Sequence, residues 1–215
     1  MSNRNLVSLN LTFIWIVFLL VSVSDADASS VRKVTLDEMI QQSEFVFEGK
    51  VLTIEATEES PRRIYTYATF EILEIIKGEY PKSTISLRFL GGTVGNATMA
   101  VSDMQFPKVG EYGIYFVESL ERLQAHPLYG WSQGHFLVER DETDIERVTT
   151  NRKEPLIAVS DDTLAVQTTP GENRLQPHDK GVAGGLIVAQ KGEKVNGITA
   201  QEFKDILHQQ LGKNQ

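Results

Sequence analysis

The residues of this 215-residue chain that could do chemistry are few and scattered. There are four histidines, His126, His135, His178 and His208, and no cysteine. A histidine base needs a placed partner, and the one pairing the spacing offers is Ser132 with His135 in "WSQGH", with nothing beside it to orient the ring. The motifs of common active sites are missing: there is no G-x-S-x-G elbow and no H-E-x-x-H metal pair. Carboxylates gather in "TEES", in "RDETD" and at Asp161-Asp162. Paired carboxylates can do acid–base work or hold calcium, but EF-hand spacing is missing and these runs sit at turns, where solvated charge is ordinary. The glycines of "GGTVGN" lack the lysine and hydroxyl of a phosphate loop. No catalytic residue, metal ligand or cofactor is therefore expected. Gly91, Gly92, Thr93, Gly95 and Asn96 remain as a candidate binding loop, part of a long excursion that runs on to Ser102. Asn96-Ala97-Thr98 also fits a glycosylation sequon.

The elements that must position such a loop read mainly as β. The first is a short helix in "TLDEMIQQSE", with Thr35 as N-cap, Glu38 completing a capping box, and Leu36, Met39 and Ile40 on one face. Strands follow at residues 45–55 and 65–77. In the second, Phe70, Ile72 and Ile76 are expected on one face, with Leu73 and Ile75 covered on the other. "TISLRFLGG", "EYGIYFVES" and "GHFLVERD" make the third, fourth and fifth strands. A minor hairpin is expected at residues 98–102. "ERVTTN" should fold back on "FLVERD", and "LIAVS" should pair with "LAVQTT" across Asp161-Asp162. "PGENRLQPHDKGVAGG" reads as a linker. The chain closes on a helix in "ITAQEFKDILHQQL", with a second capping box at Thr199 and Glu202 and an apolar face of Phe203, Ile206, Leu207 and Leu211. Five principal strands with helices at both ends suggest a five-stranded Greek-key barrel, which removes exposed sheet edges. A β-sandwich is the alternative.

The first thirty residues read as a signal and not as fold. Arg4 precedes an apolar core at residues 11–23, too short to cross a bilayer, and Ala26-Asp27-Ala28 is the small-x-small pattern of a cleavage site. Cleavage between Ala28 and Ser29 removes one net negative charge (Arg4 against Asp25 and Asp27) from the total of −8 and leaves the mature chain acidic. An acidic surface disfavours nucleic acid and anionic lipid as partners. "PRR" at residues 61–63, with Lys77 and Lys82, is too little basic track for Tyr65, Tyr67 and Tyr112 to serve as base-stacking rings. An exported chain without cysteine fits a bacterial periplasmic or secreted protein better than a disulfide-stapled one. The expected layout is a signal peptide at 1–28, a β-barrel domain at 29–150, a hairpin and linker-like segment at 151–184, and a C-terminal segment with an amphipathic helix at 185–215.

A short helix, then "SEFVFEGKVLTIE", then "YTYATFEILEIIKGE", then the alternating "TISLRF" together resemble the netrin-like module, the OB-fold barrel of tissue inhibitors of metalloproteinases. "FEILEIIKG", a strand ending in a lysine-glycine turn, is the most specific part. The chain is also similar to uncharacterised exported bacterial proteins with the same "GK" strand and "GGTVG" loop. The resemblance implies an OB-like barrel and a non-catalytic module that binds another protein, such as an extracellular protease that it inhibits or escorts. It does not carry over the cysteines of that family, nor the N-terminal cysteine that chelates zinc, since the expected mature start is Ser29-Ser30. A secreted hydrolase and a carbohydrate- or surface-binding module are the competing classes.

Overall fold

A computed structural model describes residues 31–160, 181–189 and 195–213. The expected signal, its cleavage site at Ala28 and Ser29, His178 and "LAVQTT" all lie outside these residues. The protein is mainly β. Its strands are β1 (Phe45–Ser60), β2 (Arg63–Lys77), β3 (Thr84–Leu90), β4 (Gly92–Val94), β5 (Ala97–Met99), β6 (Tyr112–Val117), β7 (His135–Arg140), β8 (Glu146–Thr150), β9 (Leu156–Val159) and β10 (Leu186–Val188). Among the described residues two α-helices flank them, α1 (Leu36–Gln42) and α2 (Ala200–Lys213), and a 3-10 turn, Trp131–Gly134, precedes β7. No described helix is long and apolar enough to cross a membrane.

One antiparallel sheet of six strands dominates, in the order β3-β2-β1-β6-β7-β8. It does not close: no ladder joins β3 to β7 or β8 among the described residues. The fold-back of "ERVTTN" on "FLVERD" is present as the β7–β8 pair. The minor hairpin falls earlier than expected, with Gly92–Val94 paired to Ala97–Met99. "LIAVS" has β10 as its described partner, joined through Leu186 to Val159.

Both faces of the sheet are covered. One carries an aromatic cluster of Phe45, Phe47, Phe70, Phe89 and Tyr115, all fully buried. Its rings meet edge-on or offset, as the ring quadrupole prefers; Phe70 and Tyr115 lie 4.6 Å apart at 62°. The other face carries Val46, Ile76, Ile114, Phe116 and Phe136, and the two helices lie on it through Met39, Ile40, Phe203 and Leu207. Residues from the stretch read as a linker share this second core: Ala183 is buried, and Gly184 exchanges backbone hydrogen bonds with Val34 and Leu36.

The alternation expected along β2 breaks in the middle. The β1–β2 ladder pairs Glu48 with Glu74 and then Gly49 with Ile72, so Leu73 is an extra residue. Such a bulge moves the following side chains to the other face. Phe70 therefore joins the aromatic cluster and Ile76 the helical one, while Leu73 and Ile75 are exposed and not covered as expected.

The two capping boxes also diverge. At α2 the box is complete: Thr199 N–H donates to Glu202 Oε2 at 2.8 Å and Glu202 N–H donates to Thr199 Oγ1 at 3.1 Å. At α1, Thr35 Oγ1 accepts from Glu38 N–H, but the Glu38 carboxylate turns away to Arg32 and Tyr129.

The lysine-glycine turn has a structural reason. Lys77 Nζ donates to the carbonyls of Ile40 at 2.7 Å, Gln41 at 2.9 Å and Ser43 at 2.6 Å, at the C-terminal end of α1. A cation there meets both the free carbonyls and the negative end of the helix dipole, although burial lowers the lysine's pKa. Gly78 has φ +83°, and a Cβ on it would lie 2.6 Å from Glu44 O. Lys77→Met is therefore expected to lower the unfolding free energy by about 1.5–3 kcal/mol, measured by urea denaturation. A change under a few tenths would mean that water replaces the ammonium freely.

Candidate binding face

The candidate loop is a built hairpin. Gly91 is buried at its base, donates its N–H to Ile64 O at 2.7 Å and accepts Thr66 Oγ1–H at 2.8 Å. A Cβ on Gly92 would lie 2.4 Å from Thr66 Oγ1. These two glycines press the hairpin onto β2. At the tip, Gly95 has φ +57° with nothing within 4 Å of a Cβ, the first central position of a tight turn that favours glycine. Thr93 and Thr98 share a hydroxyl hydrogen bond of 3.0 Å across the strands. Thr93, Gly95, Asn96, Ala97 and Thr98 are exposed.

Beyond the hairpin, Ser102 reaches a cavity of about 310 Å³ whose other walls are Val31, Arg32, Glu118, Tyr129 and Trp131. Gln133, which is 2% exposed, holds the cavity's first wall in place. Its amide donates to Arg32 O and Gly130 O and accepts from Val34 N–H. Tyr129 Oη donates to Glu38 at 2.7 Å, and Arg32 binds both. Burial and the Glu38 carboxylate push the Tyr129 hydroxyl up to about 12. Burial alone would raise Glu38, but the hydrogen bonds from Arg32 and Tyr129 outweigh it and hold the carboxyl below its usual range. Gly130 and Trp131 both have positive φ, 67° and 58°. For a residue as large as tryptophan this is a strained conformation, and it lays the indole against His126 with centroids 5.2 Å apart.

The chain matches no protein-family model, no curated protein and no solved structure.

The residues weighed for chemistry divide sharply. Ser132 and His135 do not form a pair. His135 is 5% exposed, stacks on Tyr115 at 4.9 Å and turns Nε2 to within 3.2 Å of Glu111 Oε1, while Ser132 Oγ lies beside Gly181. Tyr115 lies over Gly113 and points back along β6 toward Glu111, so three buried polar tips, Glu111 Oε1, Tyr115 Oη and His135 Nε2, converge without an aligned hydrogen bond. Burial and the Glu111 charge push the Tyr115 hydroxyl far above its ordinary range. Spacing gave no hint of this trio, because Glu111 and His135 meet only across the β6–β7 ladder. His208 is an exposed residue of α2. Asp141 of "RDETD" is engaged within its own turn, accepting from Thr143 and Ile145 N–H and from Arg147. No group of three or more His, Asp or Glu side chains placed to hold a metal occurs among the described residues. The tyrosine rings are met by the protein's own cations, Tyr65 by Arg88 at 4.1 Å and Tyr112 by Lys50 at 5.1 Å.

Proposed function

We propose that this chain is an exported, non-catalytic module that binds another protein, with an extracellular protease as the partner it inhibits or escorts. The observation that carries the reading is the cavity at Ser102: the excursion that begins at the β4–β5 hairpin and the first described residues, Val31 and Arg32, line the same opening. Either the loop or the mature N-terminus would enter a partner's cleft, and an anchored segment is pre-organised for that, which lowers the entropic cost of binding. The likeness to the netrin-like module supports the reading. In the open sheet the five principal strands run third, second, first, fourth, fifth, with β8 on the outer edge of the fifth. The acidic charge and the expected signal assign it to the periplasm or the secreted fraction, away from nucleic acid.

Residues 29–215, purified, should lower the activity of an exported metalloprotease to a stoichiometric end point. Asn96→Arg at the exposed tip should weaken that inhibition at least tenfold, about 1.4 kcal/mol, with no change in thermal stability. No inhibition across a panel of exported proteases, or an Asn96→Arg protein that inhibits as well as the unaltered one, overturns the reading.

A further inference from the structure

The open side of the sheet is tied shut by a short piece of chain. Ala125 O accepts the Leu90 N–H at the end of β3 at 2.7 Å, Pro127 O accepts from Glu118, and Tyr129 N–H donates to Phe116 O. Leu128 bridges to Val117 and is 1% exposed within the aromatic cluster. Residues 125–129 thus join β3 to the end of β6 where no strand does.

A buried histidine sits inside this tie. His126 is 2% exposed, edge-on to Phe89 of β3 at 5.0 Å and stacked on Trp131. Its Nδ1 accepts the Leu128 N–H at 3.2 Å. The neutral ring must then carry its hydrogen on Nε2, which has no hydrogen-bond partner among the described residues. A second proton would have to go on Nδ1, where it would face the Leu128 N–H donor head-on. The ring cannot be charged in place without losing the hydrogen bond that shapes the tie and burying an unpaired cation. The surrounding elements offer no relief: Phe89 and Trp131 bring no charge, Glu121 and Arg122 of its own loop are exposed, and the titratable side chain acting on it is His135 of β7, itself facing Glu111.

We infer that residues 125–129 are an acid-released latch, in which protonation of His126 lifts the segment off β3 and uncovers Trp131, the Leu90 edge and the aromatic cluster. Burial first, and His135 second, push His126 down to about 3 in the closed protein, against about 6.5 for a free imidazole. The closed form is the neutral form. The latch therefore holds fully above about pH 6.5 and weakens about tenfold per pH unit as the pH falls toward 3. For an exported protein this couples exposure of an apolar surface to the acidity it meets.

Hydrogen exchange on residues 29–215 tests this, with the amide of Ile72, which donates to Ser83 O in the β2–β3 turn, as the reference. Between pH 7 and pH 4 the protection of the Leu90 and Leu128 amides should fall about two-hundredfold, while that of Ile72 stays within a few-fold. The emission of Trp131, the one tryptophan left once Trp15 is removed with the signal, should move to the red over the same range. His126→Phe should abolish both changes. Undiminished protection at Leu90 and Leu128, an equal loss at Ile72, or the same pH response in His126→Phe would each overturn the inference. The first two need only the unaltered chain, so the test does not depend on the variant folding.

Discussion

Replacing Gly113 with alanine is expected to lower the unfolding free energy by about 3–4 kcal/mol, a large share of the 5–15 kcal/mol that holds a typical domain. A Cβ at this position would lie 2.3 Å from Phe136 O and 3.1 Å from the Tyr115 ring and hydroxyl. The first obstacle is backbone. It cannot rotate aside as a side chain can, and moving it breaks the β6–β7 ladder at Gly113↔Leu137 and Ile114↔Phe136. The second obstacle is the ring that closes the aromatic cluster. Gly113 stands directly opposite Gly49, where a Cβ would meet Glu71 O at 2.6 Å, so this crossing of β1 and β6 has room for neither side chain. Glycine within a strand marks such a close approach. Gly95→Ala is the control: its tip is open space, and only the positive φ opposes the change, costing about 1 kcal/mol. Urea midpoints compare the two directly. If Gly113→Ala proves no worse than Gly95→Ala, the packing argument fails.

Lys204→Met is expected to cost about 3–5 kcal/mol, although the residue reads as one more polar position on an amphipathic helix. Lys204 is 8% exposed and its Nζ lies 2.7 Å from Glu48 Oε2 and 2.7 Å from Glu74 Oε2. Burial works against its charge, but the two carboxylates outweigh burial and raise its pKa. While its two carboxylates are ionised, its ion-pair contribution is thus held up to about pH 10.5 and is lost as the pH rises past that. Methionine keeps the stem's packing and removes the charge. Glu48, itself 8% exposed, is then left in the sheet without its cation. The cost lies in that stranded carboxylate more than in the bridge, because a buried pair barely repays its own desolvation. The double variant Lys204→Met with Glu48→Gln should therefore recover at least half the loss, a coupling that a double-mutant cycle measures. Additive losses would show that the carboxylate finds water in the single variant and that the triad adds little.

Whatever depends on neighbours within a turn of chain was legible in the sequence. The capping residue of α1, the burial of Phe203 and Leu207 on α2, the five principal strands and the β7–β8 fold-back each follow from local spacing, because a helix repeats at 3.6 residues and a strand at two. The "GGTVGN" glycines marked a turn for the same reason: only glycine takes positive φ without penalty. The hairpin's register was misplaced by a few residues, since "GNATMAVS" offers strand-formers on both sides of several possible turns.

What tertiary structure alone decided is which distant residues share a location. The bulge at Leu73 is invisible in "FEILEIIKG", as it arises from pairing with β1 and not from β2 itself, and it sends Ile75 to solvent and Ile76 to the helices. Glu38 completes a capping motif in sequence, yet Arg32 and Tyr129 claim its carboxylate. His126, His135 and Glu111 are unremarkable as letters; strand pairing and a short tie across the open sheet bury the two rings and bring Glu111 against one of them. Local propensity acts through the chain and can be read from it, whereas burial, charge pairing and the fate of a polar tip depend on the low-polarity interior that forms only when the sheet and its two helices come together.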